Sequence, residues 1–245
     1  MSRASDLPGY RRRICIETRE GAALAMLEDD IHGMAVTLRH DGRTVTAVEP
    51  LVDRMPWTTC PGAAAKLVET FVGVPLAEVT ARRDKKANCT HLHDLAVFAA
   101  AHAGERGGLI YDVFVSDPID GERLLELRRD GNPVLEWVER DGALVAPPAI
   151  AGQVLFTLRD WINALDGEAL REAARVLQWA AMVAHGRTIP PAEQSNAAAL
   201  PPSCYTFQPE RAVHAVRNGE RRDFSDGSRK PLAGFGERLA AELDR

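Results

Sequence analysis

No uninterrupted apolar stretch in this chain approaches the roughly 20 residues that a membrane-spanning helix needs. Even the apolar segment from Ala169 to His185 is broken by Arg171, Glu172 and Arg175. The polar opening, Met1 to Leu7, runs into Arg11-Arg12-Arg13 without the apolar core or small-residue cleavage site of a secretion signal. A cytoplasmic protein with no membrane partner is the expectation. Cysteine is scarce: Cys15, Cys60, Cys89 and Cys204 are spread over 245 residues, which argues against a disulfide framework and for reduced thiols. Nor is there the basic excess of a dedicated nucleic-acid binder, because 30 Lys and Arg stand against 35 Asp and Glu, for a net charge of -5. Gly-x-Gly-x-x-Gly, Walker-type and Gly-x-Ser-x-Gly motifs are missing, which removes the usual warrants for a nucleotide enzyme or a serine hydrolase. Small molecules or proteins are the partners that remain.

What is present suffices for a large core, since 45% of the residues are hydrophobic and a chain of this length needs no staple. Ile14 to Glu17 alternates apolar and polar residues as a half-buried strand does, and Met34 to Val48 reads as an antiparallel hairpin turning at Asp41-Gly42. Ala64, Leu67, Val68 and Phe71, behind Pro61, predict a helix capped by Thr59 or Cys60. A second helix is expected to start at Asn88 to Thr90, carry Leu92, Leu95, Ala96, Ala99 and Ala103, and end at Gly104. Strands then return over Ile110 to Val115, Arg123 to Arg128 and Val134 to Glu139, a meander divided by Asp-Gly turns. Helices over Val154 to Leu165 and Glu168 to His185 follow, the latter with Leu170, Ala174, Leu177 and Ala181 on one stripe. The expected fold is α+β: an antiparallel sheet of hairpins and a meander covered by helices. Residues 1–187 read as a single domain and 188–245 as a C-terminal arm, partly extended or disordered. Within the arm, Cys204-Tyr205-Thr206-Phe207 is too aromatic for a spacer, which leaves it to dock on the body or on a second copy in a homodimer.

Two cysteines fall at helix starts, Cys60 and Cys89. A helix N-terminus stabilises a thiolate, which would make either one reactive; equally, a buried cysteine is a small apolar packing residue. His91, in the first turn of the second helix, can exchange a proton near neutral pH, with Asp94 one turn on to orient its ring; the bland alternative is a surface or capping histidine. His93 points roughly 200° around the helix from His91, so one of the two is expected to face solvent. Cys60, Cys89 and His91, with Cys204 or an Asp, could bind zinc, although the paired ligand spacing of structural zinc sites is lacking, and the main reading has no cofactor and no metal. The Arg11–Arg13 triplet could grip a carboxylate or phosphate, or be a solvated charge run.

Arg11-Arg12-Arg13, Asp29-Asp30-x-His32-x-Met34, Trp57-Thr58-Thr59-Cys60-Pro61-Gly62-Ala63 and Asn88-Cys89-Thr90-His91-Leu92-x-Asp94-Leu95 together resemble a bacterial family known only as domain of unknown function 2889. The likeness is read over Tyr10 to Arg187. It implies a fold and a site more readily than a reaction, and it favours His91 over His93. Through the family's association with the breakdown of lignin-like aromatic compounds, it implies a cofactor-independent lyase that removes formaldehyde or another small fragment from a phenolic substrate. His91, with Cys60 and Cys89 lining the pocket, would be the catalytic set; His32, Arg12, Asp94, Trp57 and Thr59 would hold the substrate. The rival expectations are a noncatalytic ligand- or partner-binding module and a zinc-dependent enzyme.

Overall fold

Every second side chain of Gly9–Arg19 turns inward, from Tyr10 through Arg12, Ile14 and Ile16 to Thr18, and this period of two makes the segment the first strand, β1. The computed structural model describes residues 7–81, 84–190, 193 and 196–234. Seven more strands follow: β2 (Ala22–Glu28), β3 (Gly33–His40), β4 (Val45–Arg54), β5 (Gly107–Ser116), β6 (Glu122–Arg129), β7 (Asn132–Arg140) and β8 (Ala143–Ala146). Hydrogen bonding orders them β4-β3-β2-β1-β5-β6-β7-β8 in an antiparallel sheet, so the fold is α+β as the alternation implied. The described residues divide into two compact units, one of residues 14–81, 84–109, 190, 193, 196–222 and 232–234, here the hairpin unit, the other of residues 7–13, 110–189 and 223–231, the meander unit.

In the hairpin unit, β3 and β4 pair across a turn in which the Asp41 carboxylate accepts from the backbone N–H groups of Arg43 and Thr44, and Gly42 takes a φ of +90° that a side chain would strain. Strand β2 gave no alternating signal because all seven of its residues are buried. One of its faces packs Ala22, Leu24 and Met26 against Ala35, Leu51 and Leu232. The helix behind Pro61 is α1 (Ala63–Phe71), which packs on β4 with Leu67 and Phe71 fully buried. A 3-10 turn at Cys60–Gly62 precedes it, and neither Thr59 nor Cys60 caps it through a side chain. After the one-turn α2 (Leu76–Val79) comes α3 (Thr90–His102), which contacts β2 and β3 as well as α1 and α2. A helix flanked in this way keeps only a narrow wet stripe, Thr90, Asp94, Val97 and Ala101: His91 and His93 are both buried, and the expectation that one faces solvent is corrected.

In the meander unit, the turns between β5, β6, β7 and β8 place Asp120-Gly121, Asp130-Gly131 and Asp141-Gly142 at positive φ, about +50° then +80° in each, the conformation that two-residue hairpins favour. The short β8 had no sequence signal. Val154 is extended and bridged to Ala143, so the expected helix from Val154 to Leu165 is reduced to a 3-10 turn at Leu155–Thr157 and α4 (Arg159–Asn163). Helix α5 (Glu168–Ala184) lies on β6 and β7, with Ala174, Leu177 and Ala181 buried. Among the described residues no helix is long and apolar enough to cross a membrane.

Candidate functional site

Between β2 and β3 the chain turns through Asp29-Asp30-Ile31-His32. Asp29 shapes this turn: one carboxylate oxygen accepts from the backbone N–H of Ile31 at 2.8 Å and of His32 at 2.7 Å, and the Asp29 N–H donates to the His32 carbonyl. The same carboxylate, fully buried, faces the His32 ring, its two oxygens 3.1 and 3.2 Å from Nδ1. At the end of β4, Arg54 locks the turn from beneath. It is fully buried, donates to the carbonyls of Asp29 and His32, and pairs with Glu28 at 3.2 Å. Glu28 also takes Arg222 and the backbone N–H of Leu232, so three donors surround one buried carboxylate. A buried charge is tolerated on those terms.

His91 enters from the first turn of α3 and stacks on His32, with ring centroids 3.8 Å apart and planes 26° from parallel. An imidazole whose Nδ1–H donates to a carboxylate is fixed in tautomer and orientation, and its Nε2 is left to accept a proton. Two stacked imidazoles repel when both are charged. Ligand atoms from Asp29, His32 and His91 also lie within 4.8 Å of one another, so these three could hold a metal ion. Among the described residues this is the only such set, and it replaces the Cys60, Cys89 and His91 set considered from the sequence.

The thiols gather beside it. Cys60 lies close enough to Cys204 and Cys89 for their charges to be felt, and its Sγ is 3.4 Å from the Thr206 hydroxyl, which also accepts from Thr59 at 3.2 Å. Phe207 meets the buried Trp57 edge-on, with centroids 5.8 Å apart, and the Tyr205 N–H donates to the Asn88 carbonyl just before α3. Residues 205–207 thus cover the Thr-Thr-Cys-Pro-Gly segment, and Gly62 is there for space: a Cβ would come within 2.7 Å of the Tyr205 hydroxyl. Burial outweighs the helix terminus at Cys89, pushing its thiol up to about 12; burial also raises Cys60 and Cys204. All four cysteines are free, and these three act as neutral thiols, a polarizable wall.

Of the residues singled out from the sequence, His32 and His91 come together, and Cys60, Cys89, Trp57 and Thr59 form the adjoining cluster. Asp94 does not orient His91: it accepts from Lys85 at 2.5 Å and lies 3.8 Å from His93. His93 packs against Phe71. Arg12 belongs to the meander unit, 1% exposed with its guanidinium 4.4 Å from the Trp179 ring, and Arg13 grips Asp112 with two hydrogen bonds. The triplet is therefore no solvated run; strand alternation buries its middle member. Asp29, Arg54 and Thr206 were not foreseen as site residues. The Asp-x-x-His spacing at 29–32 was the one signal for the first.

The hairpin unit is thus an antiparallel-sheet module built around a buried carboxylate–imidazole–imidazole stack. Residues 16–104 match the model of the family described as Protein of unknown function (DUF2889), which holds Asp29, His32, Cys60, Cys89 and His91 and ends well short of the limit read from the sequence. No curated protein matches the chain.

Proposed function

We propose that the hairpin unit carries a general acid–base site for a small aromatic molecule, with His91 and the Asp29-bound His32 exchanging protons. The observation that carries this reading is the stack of His91 on an imidazole already held by a buried carboxylate. Acid–base catalysis needs one group to accept while another donates, and two rings in van der Waals contact supply both. The thiols of Cys60 and Cys89 and the ring of Trp57 offer the apolar wall that an aromatic substrate requires.

The reaction favoured by this chemistry and by the family resemblance is a lyase that needs no cofactor. Deprotonation of a phenol drives an electron pair through the ring and expels a benzylic oxygen, which takes up a proton. A base then removes the proton of a side-chain hydroxyl, the C–C bond to that carbon breaks, formaldehyde leaves, and the electron pair returns through the ring to the phenolate. Reprotonation closes the balance: substrate equals the alkenyl phenol, formaldehyde and the alcohol (or water) that the benzylic oxygen becomes, with no oxidant consumed. The test is formaldehyde release from phenols that carry a benzylic ether and a hydroxymethyl side chain. Wild-type protein should release it, and Asp29→Asn and His91→Ala should slow release by about 10²–10⁴. Binding of these phenols without any release would leave a noncatalytic ligand-binding module.

A second reading, a metal-dependent enzyme, is favoured by the 4.8 Å grouping of Asp29, His32 and His91. About one zinc per chain, lost on His32→Ala, would establish it.

A further inference from the structure

We propose that Arg217 and Arg221 seat the carboxylate of a small aromatic anion beside Trp57 and Cys60; this deepens the acid–base reading by naming the charge its substrate carries. The segment holding them is anchored at both ends of the site. Arg217 is bridged to Trp57 through the backbone, and the Asn218 N–H donates to the Pro56 carbonyl at 2.7 Å. Four residues on, the Arg222 N–H donates to the Asp30 carbonyl at 2.8 Å and its side chain pairs with Glu28. Residues 217–222 therefore run from the thiol cluster to the turn that holds Asp29 and His32.

Arg222 has its carboxylate; Arg217 and Arg221 have none among the described residues. Nε of Arg217 and Nη2 of Arg221 are buried without a hydrogen-bond partner. The two guanidiniums lie near enough to repel, and the Arg217 guanidinium sits 5.2 Å from the Trp57 ring and close to Cys60. Arginine stays charged at any ordinary pH, so the pair cannot relieve itself by losing a proton. A buried N–H of a charged group left unpaired costs more than a neutral one, and two in one place call for an anion. Guanidinium forks match a carboxylate with paired hydrogen bonds, and the Trp57–Phe207 edge contact supplies aromatic surface beside them. The mixed surroundings select the ligand: a planar acid with an aromatic body satisfies both, whereas a neutral amide of the same shape leaves the charges unmet.

The test compares benzoate with benzamide as ligands of the full chain, by calorimetry and by thermal shift. Benzoate should bind about tenfold tighter and raise the melting temperature where benzamide does not. The preference should vanish in Arg217→Gln/Arg221→Gln, and the wild-type thermal shift gives a readout should that variant fail to fold. A wild-type protein that prefers benzoate yet releases no formaldehyde from the phenols would keep this proposal and overturn acid–base turnover, so the two fail separately. Equal binding of the two probes by wild type, or a preference that survives in a folded double variant, would overturn it.

Discussion

His32 and His91 lie face to face, 3.8 Å between ring centroids, although 59 residues separate them in the chain and they come from a strand-connecting turn and a helix start. What brings them together is the packing of α3 on β2 and β3, and what keeps His32 in place is Asp29. The stack is a tertiary feature with a local scaffold, and its supports can be tested one at a time.

Arg54 is the first support. Its removal takes one of three donors from the Glu28 carboxylate, which keeps Arg222 and the Leu232 N–H, and frees two carbonyls of the Asp29–His32 turn, so Arg54→Ala should cost about 1–3 kcal/mol in chemical denaturation, as leaving buried acceptors unpaired does. A loss below about 1 kcal/mol, the scale of an exposed pair, would mean that the network carries little.

The covering segment is the second. Thr206→Val keeps the volume at a residue 2% exposed while deleting its contacts with Thr59 and Cys60. A loss of about 1 kcal/mol is expected in a denaturant titration, together with faster alkylation of Cys60 by a maleimide, since the lid over the thiol is loosened. Unchanged alkylation would show that residues 205–207 do not shield it.

Alkaline pH should weaken the fold through the thiols. In the unfolded chain Cys89 ionises near its ordinary value of 9.0, whereas burial pushes it up to about 12 in the folded one. The unfolded state therefore gives up its proton first, so the stability present below pH 9 declines as pH rises toward 12. Urea midpoints across that window should fall less steeply for Cys89→Ala than for wild type; identical slopes would show that the thiol is not desolvated.

Much of the fold was legible because it rests on period-two alternation and Asp-Gly turns, as at Met34 to Val48 and between β5, β6 and β7. Strand β2 was not, since burial on both faces erases alternation and its run of Ala, Leu and Met carries no strand signature. The expectation that one of His91 and His93 faces solvent failed for a related reason: helical spacing separates their directions but cannot say that a second layer covers each side. His32, His91, Cys60 and Cys89 could be picked from their types and local positions. Arg217 and Arg221 could not, because they sit in a segment without periodicity and matter only through the distant Trp57 and Cys60 beside which it is anchored.

If the site works by acid–base exchange without a metal, exhaustive treatment with a chelator should leave formaldehyde release unchanged. A rate lost to chelation and restored by zinc would move the chemistry from the imidazoles to an ion held by Asp29, His32 and His91.

The most direct measurement is the turnover of His91→Phe beside wild type on the hydroxymethyl phenols. Phenylalanine keeps a flat ring against His32 and removes the ring nitrogens, so the variant should melt within a few degrees of wild type, as a well-tolerated swap in a protein of this size does. The account predicts that it releases formaldehyde about 10²–10⁴ times more slowly than wild type. A folded His91→Phe protein that turns over at the wild-type rate would contradict it.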